Sequence, residues 1–163
     1  MSRAFVKESD GALDPLPDLP ISPHPNYVTP QGLAALQARL QTRQADLTAL
    51  RARPDRLDKL PEAAAERDIR YVEARLRTAQ VIDPAAQPLT AMVFGLIAMV
   101  QDEAGQRHRF QIVGEDEAAA SQGLIAPQSP LARALIGARP GDELLWPRRA
   151  GTVTLTLISL TRP

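Results

Sequence analysis

Leu33, Leu36, Leu40, Leu47 and Leu50 follow one another at spacings of 3, 4, 7 and 3 residues, the period of one face of an α-helix. Arg43 stands where the spacing of seven leaves a contact open. Thr29-Pro30 precedes the run; a threonine side chain can cap a first turn, and proline suits the first helical position. Pro54 ends it, because the residue before a proline disfavours the α region. A second stripe, Ile69, Val72, Leu76 and Ala79, lies between Pro61, which can open a helix, and Asp83-Pro84, which closes it. Two such helices joined by a short turn form an antiparallel αα-hairpin, a short coiled coil with arms of about 22 residues and about 33 Å. Few large apolar residues lie near the turn, so a loosely packed, mobile tip is expected.

From Leu89 onward the pattern changes. "AMVFGLIAMVQDEAGQRHRFQIVG" reads as two strands around a turn centred on Gly105, and "GLIA" (Gly123–Ala126) as a short strand. "SPLARALIG" has a capping serine, a proline at the first position and a terminal glycine, the marks of a short helix, with Leu131, Leu135 and Ile136 expected to face inward. "DELLWP" and "TVTLTLISL" read as strands, the second alternating β-branched residues and leucine. The predicted class is α+β: an N-terminal antiparallel helical hairpin, then an antiparallel sheet with one short helix on one face. The predicted divisions are a Pro-rich segment over residues 1–28, the hairpin over 29–83 and the sheet domain over 84–163. Pro15, Pro17, Pro20, Pro23 and Pro25 keep the first segment extended. It is either a disordered tail or a strap that packs Leu16, Leu19 and Ile21 onto the body.

Composition narrows the function classes. The 163-residue chain has 19 Lys+Arg against 19 Asp+Glu, so it is no bulk polyanion binder and no sequence-specific DNA binding is expected. Aromatic residues make up 4%, so the core must be mainly aliphatic. Cysteine is absent, which excludes disulfides, thiol catalysis and cysteine metal sites. His24 and His108 have no zinc-ligand spacing, and no Ser-His-Asp set or phosphate loop is evident, so a free-standing enzyme is not expected. No apolar run reaches the roughly 18 residues of a membrane span, and "MSRAFVKESDG" lacks the apolar core of a signal peptide; a cytoplasmic location without membrane contact is expected. Trp146, the sole tryptophan, is expected to pack in the core or at an edge, and His108 at a surface or edge.

Five strings together carry a family resemblance. "SPLARALIGARPGDEL", with "FQIVGEDEA" upstream, and the hairpin "VFGLIAMVQDEAGQRHRFQIVG" resemble the C-terminal domain of the Gre transcript-cleavage factor superfamily. "YVTPQGLAALQARL" and "RYVEARLRTAQVIDP" resemble the two sides of its coiled-coil arm. The resemblance spans Tyr27 to Pro163 and implies an FKBP-like C-terminal domain without isomerase activity, docked beside the secondary channel of bacterial RNA polymerase, with the arm entering the channel. Ser129, Pro130, Arg133 and Asp142 become candidate polymerase contacts, Arg133 being otherwise a residue of a solvated helix face. It further implies no intrinsic cofactor. Mg²⁺ would take part only in complex with RNA polymerase, where acidic tip residues help hold a second ion, a hard cation that takes oxygen ligands.

The stretch "RARPDRLDKLPEAAAERD" occupies the place of that tip. The cleavage factors carry an Asp, two residues, then Glu-Asn. The nearest match is Asp55-Arg56-Leu57-Asp58 followed by Lys59: the spacing remains, but Asp replaces Glu and Lys replaces Asn. Arg53, Arg56 and Lys59 flank the carboxylates and would weaken cation binding by Coulomb repulsion. The arm also looks shorter than those of the cleavage factors. Asp55, Asp58 and Glu62 are the tip candidates for catalysis, with Asp55 and Asp58 as metal ligands only if the chain is competent in cleavage; otherwise Asp55 and Asp58 are residues of a solvated turn. Glu62 and Glu66 suit the first turn of the second helix, where negative charge complements the helix dipole. Asp68 and Arg67 read as exposed face charges. The expected function is an elongation regulator that binds RNA polymerase, with weak or no stimulation of cleavage. The alternatives are a cleavage factor with a rebuilt tip and the short-armed branch of the superfamily, regulators whose partner is nucleoside diphosphate kinase.

Overall fold

The computed structural model describes residues 15–163; the reading of "MSRAFVKESDG" lies outside these residues. Strand β1 (Tyr27–Val28) leads into helix α1 (Pro30–Arg51), a turn, helix α2 (Leu60–Thr78) and strand β2 (Gln80–Val81). Thr29 Oγ1 accepts from Gly32 N at 2.9 Å, capping α1. β1 and β2 pair in parallel at the base of the hairpin. The second helix therefore stops at Thr78, short of Asp83: Ala79 is already extended, and pairing with β1 offers its successors an alternative set of backbone hydrogen bonds.

The sheet domain follows, with β3 (Ile97–Asp102), β4 (Arg107–Ile112), β5 (Leu124–Ile125), α3 (Pro130–Leu135), β6 (Glu143–Arg148) and β7 (Gly151–Thr161). The strand order is β5-β4-β3-β7-β6. Every pairing is antiparallel except β4 with β5, so the sheet is mixed, with the two-residue β5 reaching its edge by a loop rather than a hairpin. The overall class is α+β, as the periodicities predict.

Two hydrophobic clusters form, and they share no residue. The larger joins Leu96, Ala98, Val100, Ile112, Leu131, Leu135, Leu155 and Leu157 beneath α3. The smaller, within the hairpin, has Val28, Leu36 and Val72 at its centre. Ile136 breaks the expectation of an inward side chain: it is 48% exposed, because helical geometry ends at Leu135 and Ile136 turns extended at the C-cap. Trp146 lies edge-on to Phe110 with ring centroids 5.8 Å apart, and the Arg148 guanidinium stacks over it at 4.6 Å. His108 Nε2 is paired with Asp102 Oδ2 at 2.9 Å. That contact and two backbone N–H donors hold the Asp102 carboxyl below its ordinary value.

Candidate functional site

Charged rungs replace the leucine stripe as the hairpin approaches its tip. Arg39 and Arg43 of α1 both donate to Asp68 of α2, Arg51 donates to Glu66 at 2.7 Å, and Arg56 in the turn grips Glu62. Between the arms lies a cavity of about 600 Å³ lined by residues that include Ala49, Leu50, Ala64 and Ala65. Small side chains leave that space unfilled, and ion pairs cross it. Asp68 is thus 9% exposed rather than an open face charge. Burial pushes its carboxyl up, but the two guanidiniums outweigh this and the net shift is downward.

The tip candidates each have a local partner. Asp55 Oδ1 accepts from Leu57 N at 3.0 Å, and Asp58 Oδ1 accepts from Leu60 N at 2.9 Å, short-range turn bonds of the kind aspartate favours. Glu62 lies in the first turn of α2 and is bound at both oxygens, by Arg56 Nε at 3.0 Å and Nη2 at 2.6 Å, a bidentate charge-assisted pair. The guanidinium of Arg56 holds the Glu62 carboxyl below its ordinary value. Arg53 turns to backbone, donating to the carbonyls of Leu50 and Asp58. Leu57, 94% exposed, crowns the turn. A hard divalent ion needs carboxylate oxygens that converge and are not neutralised. Here the Glu62 carboxylate is paired with the Arg56 guanidinium, and Asp55 and Asp58 each commit one oxygen to the turn.

In the sheet domain, Ser129 caps α3, its Oγ accepting from Ala132 N at 3.2 Å. Pro130 and Arg133, three residues apart and both exposed, share one face of α3. Asp142 sits outside the helix in the turn before β6, where its Oδ2 accepts from Arg139 N at 2.8 Å.

The sequence reading missed the junction between hairpin and sheet domain. After β4, Glu115, Asp116 and Glu117 meet three different elements. Glu115 accepts from Ser22 Oγ at 2.8 Å and from Arg75 Nη2 at 3.3 Å. Asp116 accepts from Tyr71 Oη at 2.6 Å and Arg75 Nε at 2.5 Å. Glu117 accepts from Thr29 Oγ1 at 2.7 Å. Arg75 is 1% exposed. Burial and the Asp116 carboxylate together push the Tyr71 hydroxyl up to about 12. Gly32 leaves room for Glu117: a Cβ there would lie 2.5 Å from its Oε2. One signal was legible. Asp68, Val72, Arg75 and Ala79 recur at spacings of 4, 3 and 4, so two charged residues occupy inward positions.

The Pro-rich segment crosses the same region. Arg70 of α2 donates to Asp18 Oδ1 at 2.6 Å and to the Leu16 carbonyl at 3.0 Å. Leu16 and Leu19 are half-buried and Ile21 is exposed. Polar contacts at Arg70 and Glu115 tie the segment to α2 and to the loop after β4.

This arrangement of a two-helix arm on a small sheet domain has relatives. The family model "Transcription elongation factor, GreA/GreB, C-term" matches residues 88–162. The chain is 37% identical over 150 residues to transcription elongation factor GreA of Psychrobacter sp. (strain PRwf-1), covering 82% of this chain and 95% of that protein. It is 34% identical over 154 residues to transcription elongation factor GreB of Xanthomonas axonopodis pv. citri (strain 306), covering 82% and 89%. A solved structure, the prokaryotic transcription elongation factor GreA/GreB from Nitrosomonas europaea, is 20% identical with a TM-score of 0.42, covering 83% of this chain and 98% of that one. Similarity that runs through the arm as well as the sheet domain, over nearly the whole length of a curated relative, places this chain in the GreA/GreB family of transcription elongation factors.

Proposed function

We propose that this chain binds RNA polymerase at the secondary channel and regulates elongation by occupying it, without strongly stimulating transcript cleavage. The coarser part follows from family: the chain is a transcription elongation factor. On the reading proposed here its partner is RNA polymerase, and any hydrolysis is the polymerase's own. The finer part rests on one observation. The Glu62 carboxylate is bound at both oxygens by Arg56, beside two aspartates that each cap a backbone N–H of the turn. A carboxylate neutralised by a bidentate guanidinium must break that pair before it can meet a cation. The arm thus supplies shape and charge to a channel, with its carboxylates engaged in its own turn.

A cleavage assay on backtracked elongation complexes tests this. The expected result is little Mg²⁺-dependent shortening of the transcript above the polymerase alone, together with reduced stimulation by an added cleavage-competent factor. Robust cleavage that disappears in the Asp55→Ala/Asp58→Ala variant overturns the proposal in favour of a rebuilt catalytic tip.

A further inference from the structure

We propose that Glu115, Asp116 and Glu117 are positioning residues that set the direction in which the hairpin projects from the sheet domain, and that the strap from Pro15 to Ser22 closes this mount. The two hydrophobic clusters share no residue, so no common apolar core welds the arm to the domain. The aromatic contact across the junction is Tyr27 with Phe94, centroids 5.9 Å apart, and apolar contact is non-directional. The chain backbone also comes close at Gly114, beside Tyr27 and Val28, but the side-chain contacts that carry direction are hydrogen bonds to charged groups, which are short and directional.

Their placement matters more than their number. Glu117 holds Thr29, at the start of α1; Asp116 holds Tyr71 and Arg75, one turn apart on α2; Glu115 reaches Arg75 and Ser22, at the end of the strap. Three consecutive residues of one loop thus grip α1, α2 and the segment preceding β1. Two grips on one helix would leave rotation about a line; grips on both helices remove it. The strap adds a contact further out, because Arg70 lies one turn and a half beyond Arg75 towards the tip and is tied to Asp18. The lever is long: over an arm of about 33 Å, a tilt of about 10° moves the tip by about 6 Å. That displacement separates a tip that enters a narrow channel from one that meets its wall. The positioning is a property of the free chain; only its consequence at the polymerase rests on the function proposed above.

The absence of cysteine allows a direct test. Spin labels on Leu57→Cys at the tip and Leu145→Cys on the sheet domain, both at exposed positions, report the interdomain distance in the otherwise unaltered full-length chain. The parent should give one narrow distance distribution. Asp116→Asn keeps the side-chain shape and removes the charge facing Arg75; together with Glu117→Gln it should broaden or shift the distribution. Arg70→Gln and Ser22→Ala act at accessible strap contacts and should broaden it less, with the fold intact. If the Asp116→Asn/Glu117→Gln chain melts at lower temperature while its distribution stays as narrow as the parent's, the loop only stabilises and the proposal fails. If that chain does not fold, an unchanged distribution in Arg70→Gln/Ser22→Ala defeats the strap's part by itself, and the single variant Glu117→Gln decides the loop's. Loss of polymerase binding with an unchanged distance would bear on the functional reading and not on the mount.

Discussion

Arg43 of α1 and Asp68 of α2 meet across the hairpin, Nε to Oδ2 at 2.9 Å, at the position where the leucine stripe has its gap. Arg39 shares the same carboxylate. The pair replaces an apolar rung with a polar one, in the part of the arm where small side chains leave a cavity.

Asp68→Ala should therefore loosen the hairpin. Both arginines are more than 40% exposed, so solvent screens the pairs and the loss should be about 1 kcal/mol, seen as a melting temperature lower by about 2–4 °C. The sign with pH follows from a carboxyl held below its ordinary value of 3.8. Its stabilisation is fully present above that value, and is lost as pH falls through the depressed folded value. In Asp68→Ala the acid-induced loss of helical circular dichroism should be shallower than in the parent; an equal slope would remove Asp68 as its source.

Tyr71 makes the opposite prediction at alkaline pH. Its hydroxyl, buried against Asp116, is raised from 10.0 to about 12. Stability from the neutral hydroxyl is complete below pH 10 and disappears as pH rises through about 12. Tyr71→Phe should cost about 1 kcal/mol at neutral pH and flatten the loss of stability over that alkaline window. Tyrosinate absorbance should show one fewer late-ionising group.

Gly114 tests the close approach of the two parts. A Cβ at this position would lie 2.6 Å from the Tyr27 carbonyl oxygen, a backbone atom that cannot swing aside. Gly114→Ala should destabilise by about 1–3 kcal/mol through overpacking, measured by thermal unfolding. A neutral outcome would mean that the junction yields more readily than its contacts imply.

Leu135 and Ile136 are adjacent and should behave oppositely. Leu135 is fully buried under the sheet, and Ile136 is 48% exposed. Leu135→Ala should cost about 2–5 kcal/mol, whereas Ile136→Ala should stay within about 0.5 kcal/mol. Equal losses would place Ile136 in the core, as its sequence position alone suggests.

That contrast shows where legibility ends. The helix Pro130–Leu135 could be read from its serine, proline and glycine because caps are local chemistry. Which of its residues face inward depended on the helix stopping one residue earlier than the apolar pattern runs. Asp55 and Asp58 could be read as turn residues for the same local reason. The capture of Glu62 by Arg56 depended on how the turn folds back on α2, and the burial of Asp68 on the spacing of the two arms.

Local pattern was enough for the two arms, the strands of the sheet domain and the short helix, since each depends on residues within a few positions of one another; the short strands β1 and β2 at the hairpin's base were not legible this way. Five strings in order were enough to mark the family resemblance. Only the tertiary structure brought Glu115, Asp116 and Glu117, a run that reads as ordinary surface acid, onto partners 40 or more residues away. Hydrogen bonds between distant segments leave no period in the chain. Their partners are chosen by where the packed helices and sheet place them, and the direction of the arm is settled there.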